Sequence, residues 1–104
     1  MADLIKADFA SITAFGSTEA GTAAQIAGAA ASDSAAALAS AVPVFGLIGQ
    51  DFLIAFAQAQ ANYLLSTAEI AAVHGQTAAA AFAGVAAYES TELAGAISFA
   101  LESL

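Results

Sequence analysis

The sequence predicts an all-α fold: an alanine-rich, antiparallel two-helix hairpin that is oligomeric. Three observations predict it. About a third of the 104 residues are alanine, the strongest helix former. Consecutive β-branched residues are scarce, which disfavours strands. A single proline, Pro43, lies near the middle, where the chain is expected to break once. Residues 1–104 are therefore expected to form a single helical hairpin.

Helix one is predicted from about residue 8 to residue 41. Phe9 and Ile12 fall at helical spacing at its beginning, and either Asp8 or Asp3 is suited to cap it. A turn is predicted over about 42–51, because this segment combines the proline with glycines and ends in an aspartate that favours an N-cap. The predicted turn residues are Pro43, Phe45, Gly46 and Gly49.

Helix two is predicted from about residue 52 to residue 92, followed by a tail over 93–104 that is flexible or helical. Apolar and small residues recur in it at alternating steps of three and four from Phe52 to Tyr88, which is the spacing of a packed helix face. The packing or interface residues predicted from this spacing are Phe52, Phe56, Tyr63, Ile70, Val73 and Val85.

The apolar residues occupy more of each helix than one inner face can cover. A second copy, a partner chain or lipid is therefore expected to cover the remainder. Residues 70–88 are uncharged for long enough to raise a membrane-spanning interpretation. A membrane is less favoured than a protein partner, because the stretch is mostly alanine with polar residues and lacks flanking Arg, Lys or Trp.

The charge, the residue composition and the missing motifs argue against several partners and chemistries. The chain is 61% hydrophobic and 10% charged, with nine acids, one Lys and a net charge of −8. Such a chain repels nucleic acid and anionic lipid. His74 is the only histidine and there is no cysteine, so we expect no metal site. Nucleophile and nucleotide-binding motifs are missing, so we expect no enzyme, catalytic residue or cofactor.

One local pair is a candidate for recognition. Tyr88 and Glu92 are four residues apart, so a helix places the aromatic ring and the carboxylate on one face. The pair is either an exposed recognition element or an ordinary surface pair.

Together these features resemble the small substrates of the mycobacterial type VII (ESX) secretion system. Within that actinobacterial group the chain is most similar to the EspC-like secretion-associated family, related to the Trp-x-Gly hairpin proteins. The resemblance rests on the Gly-containing turn over residues 44–52, on Phe52 opening a long helix, and on Tyr88-Glu89-Ser90-Thr91-Glu92 near its end. Trp is absent, and so is the Pro-Glu pair of the PE family, which favours the EspC-like branch.

The resemblance implies a secreted or cell-surface, virulence-associated protein that is exported without a cleavable signal peptide. It implies that Tyr88 and Glu92 form the export signal, read by a secretion ATPase. It also implies action by protein–protein interaction, as a homo-oligomer or paired with another helical hairpin. Two alternatives stay open: a self-assembling structural protein that forms filaments or a surface assembly, and a membrane-active helical hairpin.

Overall fold

The computed structural model describes residues 5–104, and this part of the chain is a hairpin of two helices without strands. Helix α1 spans Phe9–Phe45 and helix α2 spans Gln50–Glu102. The helices run in opposite directions, because Phe9 at the beginning of α1 stacks on Tyr88 near the end of α2, whereas Ser34 contacts Gln60 nearer the turn. The molecule is 86 Å long and about 20 Å across. The predicted all-α fold is confirmed.

Asp8 caps the N-terminus of α1. Its Oδ1 accepts hydrogen bonds from the backbone amides of Ala10 (3.2 Å) and Ser11 (3.5 Å), and its Oδ2 accepts one from the Ser11 hydroxyl at 2.8 Å. These bonds satisfy amides that have no partner within the helix. The other predicted cap, Asp3, lies outside the described residues.

The turn is shorter than the predicted 42–51. Helix α1 continues through Pro43 and ends at Phe45, and α2 begins at Gln50, so only residues 46–49 connect them. Pro43 lies in the last turn of α1, so the hydrogen bond that it cannot donate is lost only at the end of the helix. Gly46 ends it instead, with φ of 43°, a backbone conformation that side chains disfavour. Gly49 is equally constrained, since a Cβ there would lie 2.8 Å from the Cβ of Phe45.

Helix α2 is longer than predicted. The tail expected over 93–104 is helical as far as Glu102, because its alanines continue the helix and Gly95 alone does not break it. Helix α2 therefore extends about 20 Å beyond Tyr88, at 1.5 Å per residue. This extension has no helix beside it within the described part of the chain.

The seam between the helices is built from small side chains. The buried positions are Gly16, Ala30, Ser34 and Ala41 on α1, and Ala78 and Val85 on α2. A Cβ on Gly16 would lie only 2.7 Å from Cε1 of Phe82, so glycine is what allows this ring to lie against α1. Within the described residues no large side chain is fully buried. The hairpin is held mainly by close helix–helix approach rather than by a deep core.

The face of α2 that packs against α1 is rotated by about one residue from the face that the apolar spacing predicts. Val85 is buried and Phe56 is half-buried, but Tyr63, Ile70 and Val73 lie on the outside of the hairpin, with Ile70 51% and Val73 60% exposed. Phe52, near the turn, is about half exposed. On α2 the predicted face followed the large apolar side chains, whereas close approach of the helices selects small ones on this helix.

Candidate recognition site

Tyr88 and Glu92 lie at the end of the hairpin opposite the turn. They are on one side of α2, where α1 begins, and the ring of Tyr88 stacks on that of Phe9 with centroids 6.1 Å apart and planes 19° apart. This geometry is an offset aromatic pair. Tyr88 nevertheless remains 54% exposed, so part of its side chain is accessible to solvent.

The segment before α1 completes a shallow cavity of about 410 Å³ beside this pair. Its lining residues are Ile5, Lys6, Ala7, Phe9, Tyr88 and Glu92. Lys6 is the only Lys or Arg in the sequence, so the site combines the one basic side chain with a carboxylate, a phenol and apolar groups. Such a surface can bind a partner side chain through hydrogen bonds and apolar contact.

Sequence reasoning placed Tyr88 beside Glu92 but missed the contribution of residues 5–9. Tyr88 and Glu92 are four residues apart in one helix, so helical geometry alone places them together. The position of residues 5–9 beside them depends instead on how the two helices align across the hairpin. Counting outwards from the centre of the turn places Phe9 opposite residue 86, two residues from Tyr88, so aligning the two helices in this way is the signal that could have found it.

His74 has a partner that the sequence did not reveal. Its Nδ1 lies 2.7 Å from Oε2 of Glu19 on α1, and both side chains are partly buried. The sequence identifies His74 as the only histidine but not this partner, because Glu19 lies on the other helix. Within residues 5–104, no group of three potential metal ligands lies together. The pair joins the two helices.

The predicted turn residues form an apolar tip at the other end. The rings of Phe45 and Phe52 are 4.4 Å apart, and Phe52 also stacks on Phe56 at 6.0 Å. Leu47 and Ile48 in the turn itself are almost fully exposed. The tip is thus a small aromatic cluster that holds two aliphatic side chains out into solvent.

By length and composition alone, α2 is long and apolar enough to cross a membrane. This is weak evidence, because long apolar helices in soluble assemblies share these properties. At 53 residues the helix is also far longer than the roughly 20 residues that a bilayer requires.

Comparison with known proteins gives no relative: no family model, no curated protein and no solved structure matches this chain.

Proposed function

We propose that this chain is a small secreted substrate, or secretion-associated protein, of a type VII (ESX) secretion system, similar to the EspC-like family. It acts through protein–protein interaction, and Tyr88 with Glu92 is its export signal. The observation that carries the proposal is the position of this pair: it is exposed at the end of a helical hairpin, on the longer helix.

The surroundings of Tyr88 support a recognition role. Stacking on Phe9 limits the rotation of the ring, so a partner binds a side chain that has already lost much of its conformational freedom. Glu92 lies one helical turn further on and adds a carboxylate to the same face. Together they present an aromatic group and an anion in a fixed relation.

Export of variants from a host with a type VII system tests this proposal. We expect Tyr88→Ala and Glu92→Ala each to reduce the amount of protein in the culture medium strongly, and the double variant to abolish export. The intracellular protein should keep the helical circular dichroism of the wild type. Export of the double variant at the wild-type level would contradict the proposal.

The chain supplies matched controls. Tyr63 is the other tyrosine, lies on the same helix and is similarly exposed, so Tyr63→Ala should leave export intact. Glu89→Ala removes an adjacent exposed acid and should do the same. Tyr88→Phe keeps the stacking on Phe9 and removes only the hydroxyl, which separates loss of recognition from loss of packing.

A self-assembling structural protein is a second candidate, favoured by the exposed apolar side chains at both ends of the 86 Å molecule. Leu47 and Ile48 lie at the turn, and Leu101 and Leu104 lie at the far end of α2. End-to-end contact between them would produce filaments. Electron microscopy of concentrated purified protein distinguishes the two, because this candidate requires ordered polymers without any partner, and Ile48→Asp should prevent them.

A further inference from the structure

Tyr88 and Glu92 continue the face of α2 that packs against α1. The buried and half-buried positions of that face recur at alternating steps of three and four, and they are Ala71, His74, Ala78, Ala81 and Val85. The next two positions in the same series are 88 and 92, and such steps keep residues on one side of a helix. Helix α1 begins at Phe9, which stacks on Tyr88. The pair therefore lies where the seam between the helices opens.

The seam opens where Asp8 caps α1. Residues 5–8, which precede the helix, are not helical. One more helical turn there would be about 5.4 Å long, close to the roughly 6 Å that separates Tyr88 from Glu92 along α2, so it would lie against Glu92. Instead residues 5–7 leave the cavity of about 410 Å³ that Tyr88 and Glu92 also line. We name this cavity the seam end.

The seam end holds charges of both signs. Lys6, the only Lys or Arg in the sequence, and Glu92 line the same cavity, and both are exposed. Within residues 5–104 the only ion pair within 4.0 Å joins His74 to Glu19, so Lys6 and Glu92 are not paired with each other. The oxygens of the neighbouring Asp8 accept hydrogen bonds from the first turn of α1. On a chain with a net charge of −8, an acidic group of a partner is therefore attracted at Lys6.

Phe9 is the residue of α1 that holds the Tyr88 ring. It is half-buried and lies on the seam face of α1, seven residues before the buried Gly16. The centroids of the Phe9 and Tyr88 rings are 6.1 Å apart, a separation typical of stabilising aromatic pairs. Removing the Phe9 ring removes this contact and lets Tyr88 occupy other rotamers.

We propose that the seam end is bound as one site by a partner polypeptide that presents an acidic side chain to Lys6 and a hydrogen-bond donor to Glu92. Phe9 is a positioning residue that holds the Tyr88 ring for this contact. The site contains residues from both arms of the hairpin, so the export signal is a property of the folded chain rather than of residues 88–92 alone. This inference rests on the proposed function, because it names the chemistry of the partner that binds Tyr88 and Glu92.

Export of full-length variants tests this proposal. Lys6→Glu should reduce the exported amount several-fold and Lys6→Arg should retain it, because Lys6 is exposed outside the helices and only its charge is needed. Phe9→Ala should likewise reduce export, and Phe9→Tyr, which keeps an aromatic ring, should retain it. Phe15→Ala is the matched control, since it removes an exposed ring of the same helix that does not line the seam end, and it should leave export intact.

Tyrosine fluorescence of the purified protein gives a readout that is independent of export. The chain has two tyrosines and no Trp, so Tyr63→Phe leaves Tyr88 as the only tyrosine. In this background Phe9→Ala should increase the quenching of Tyr88 by acrylamide, because the ring loses the neighbour on which it stacks. Phe15→Ala should leave the quenching unchanged. Unchanged quenching in Phe9→Ala would overturn the positioning role of Phe9.

The export results separate this inference from the proposed function. Export of either Lys6→Glu or Phe9→Ala at the wild-type level, while Tyr88→Ala is retained in the cell, overturns the inference and leaves the proposed function standing. Equal loss of export in Phe9→Ala and Phe15→Ala also overturns it, since that result indicates general destabilisation. Normal export of the Tyr88→Ala, Glu92→Ala double variant contradicts the proposed function and this inference with it.

Discussion

At the scale of single residues, the beginning of α1 depends on one carboxylate. Asp8 is exposed, and its two oxygens accept hydrogen bonds from the hydroxyl and the amide of Ser11 and from the amide of Ala10. The side-chain bond from Ser11 is the largest cause that lowers the pKa of Asp8, followed by the backbone bond from the same residue. Both bonds favour the ionised carboxylate, so the folded state binds this proton less tightly than the unfolded state does.

This lowered pKa has a defined consequence for stability. The contribution of Asp8 is fully present above its unfolded pKa and is lost as the pH falls through its lower, folded pKa. We expect the thermal unfolding midpoint of the wild type to fall on acidification below about pH 4 more steeply than that of Asp8→Asn, which caps without titrating. Circular dichroism melts across that range measure the difference. Superimposable pH profiles would contradict this role of Asp8.

At two positions glycine is required because a side chain would collide with a neighbouring one. Gly16 leaves room for the Phe82 ring, and Gly49 leaves room for Phe45 in the turn. The other helical glycines have no neighbour within 4 Å of the position that a Cβ would occupy. The sequence alone does not distinguish these two groups, because every glycine has the same local propensity and only the tertiary contacts separate them.

At the scale of the helices, the sequence predicts their number, type and approximate order, because alanine content and spacing act locally. On α2 it places the seam about one residue away from its position in the structure, for a physical reason. Ile70 and Val73 have the larger apolar surfaces, but Ala71, His74 and Ala78 lie on the face nearer α1. Burying small residues allows the backbones to approach closely, whereas a seam of large residues would hold them apart. Spacing identifies a face but does not decide between two competing faces.

The same reasoning explains the ends of the elements. The turn was expected around Pro43, but glycine rather than proline ends α1, because the backbone turns out of the helix at Gly46 with a positive φ. The end of α2 was expected near Glu92, where the recognition pair lies, yet no helix-breaking proline follows it. The relation between Tyr88 and Glu92 was predictable from helical spacing, whereas the approach of Phe9 and Lys6 depends on alignment across the whole hairpin.

A substitution in the seam tests whether small residues hold the hairpin. Ala78 is 3% exposed, so Ala78→Leu must push the helices apart and should destabilise the protein by about 1–3 kcal/mol, the usual cost of overpacking. The next residue, Ala79, is exposed, so Ala79→Leu should change the free energy of unfolding little. Urea unfolding of both variants gives the comparison. Equal stability of the two leucine variants would show that the seam lies elsewhere.

At the scale of the whole molecule, the chain combines a shallow core with a large exposed apolar surface. The hairpin is 86 Å long and about 20 Å wide, and most of its large hydrophobic side chains are exposed. A net charge of −8 helps to keep such a surface soluble. The 61% hydrophobic content therefore corresponds less to a core than to faces available for partners.

The central proposal is that apolar side chains left exposed on the hairpin are covered by a second copy of the chain in solution. The most direct measurement is the thermal unfolding midpoint of the purified wild type over a wide range of protein concentration. The account predicts a midpoint that rises with concentration, because association of folded chains stabilises them by mass action. A wild-type midpoint that does not change with concentration would contradict it.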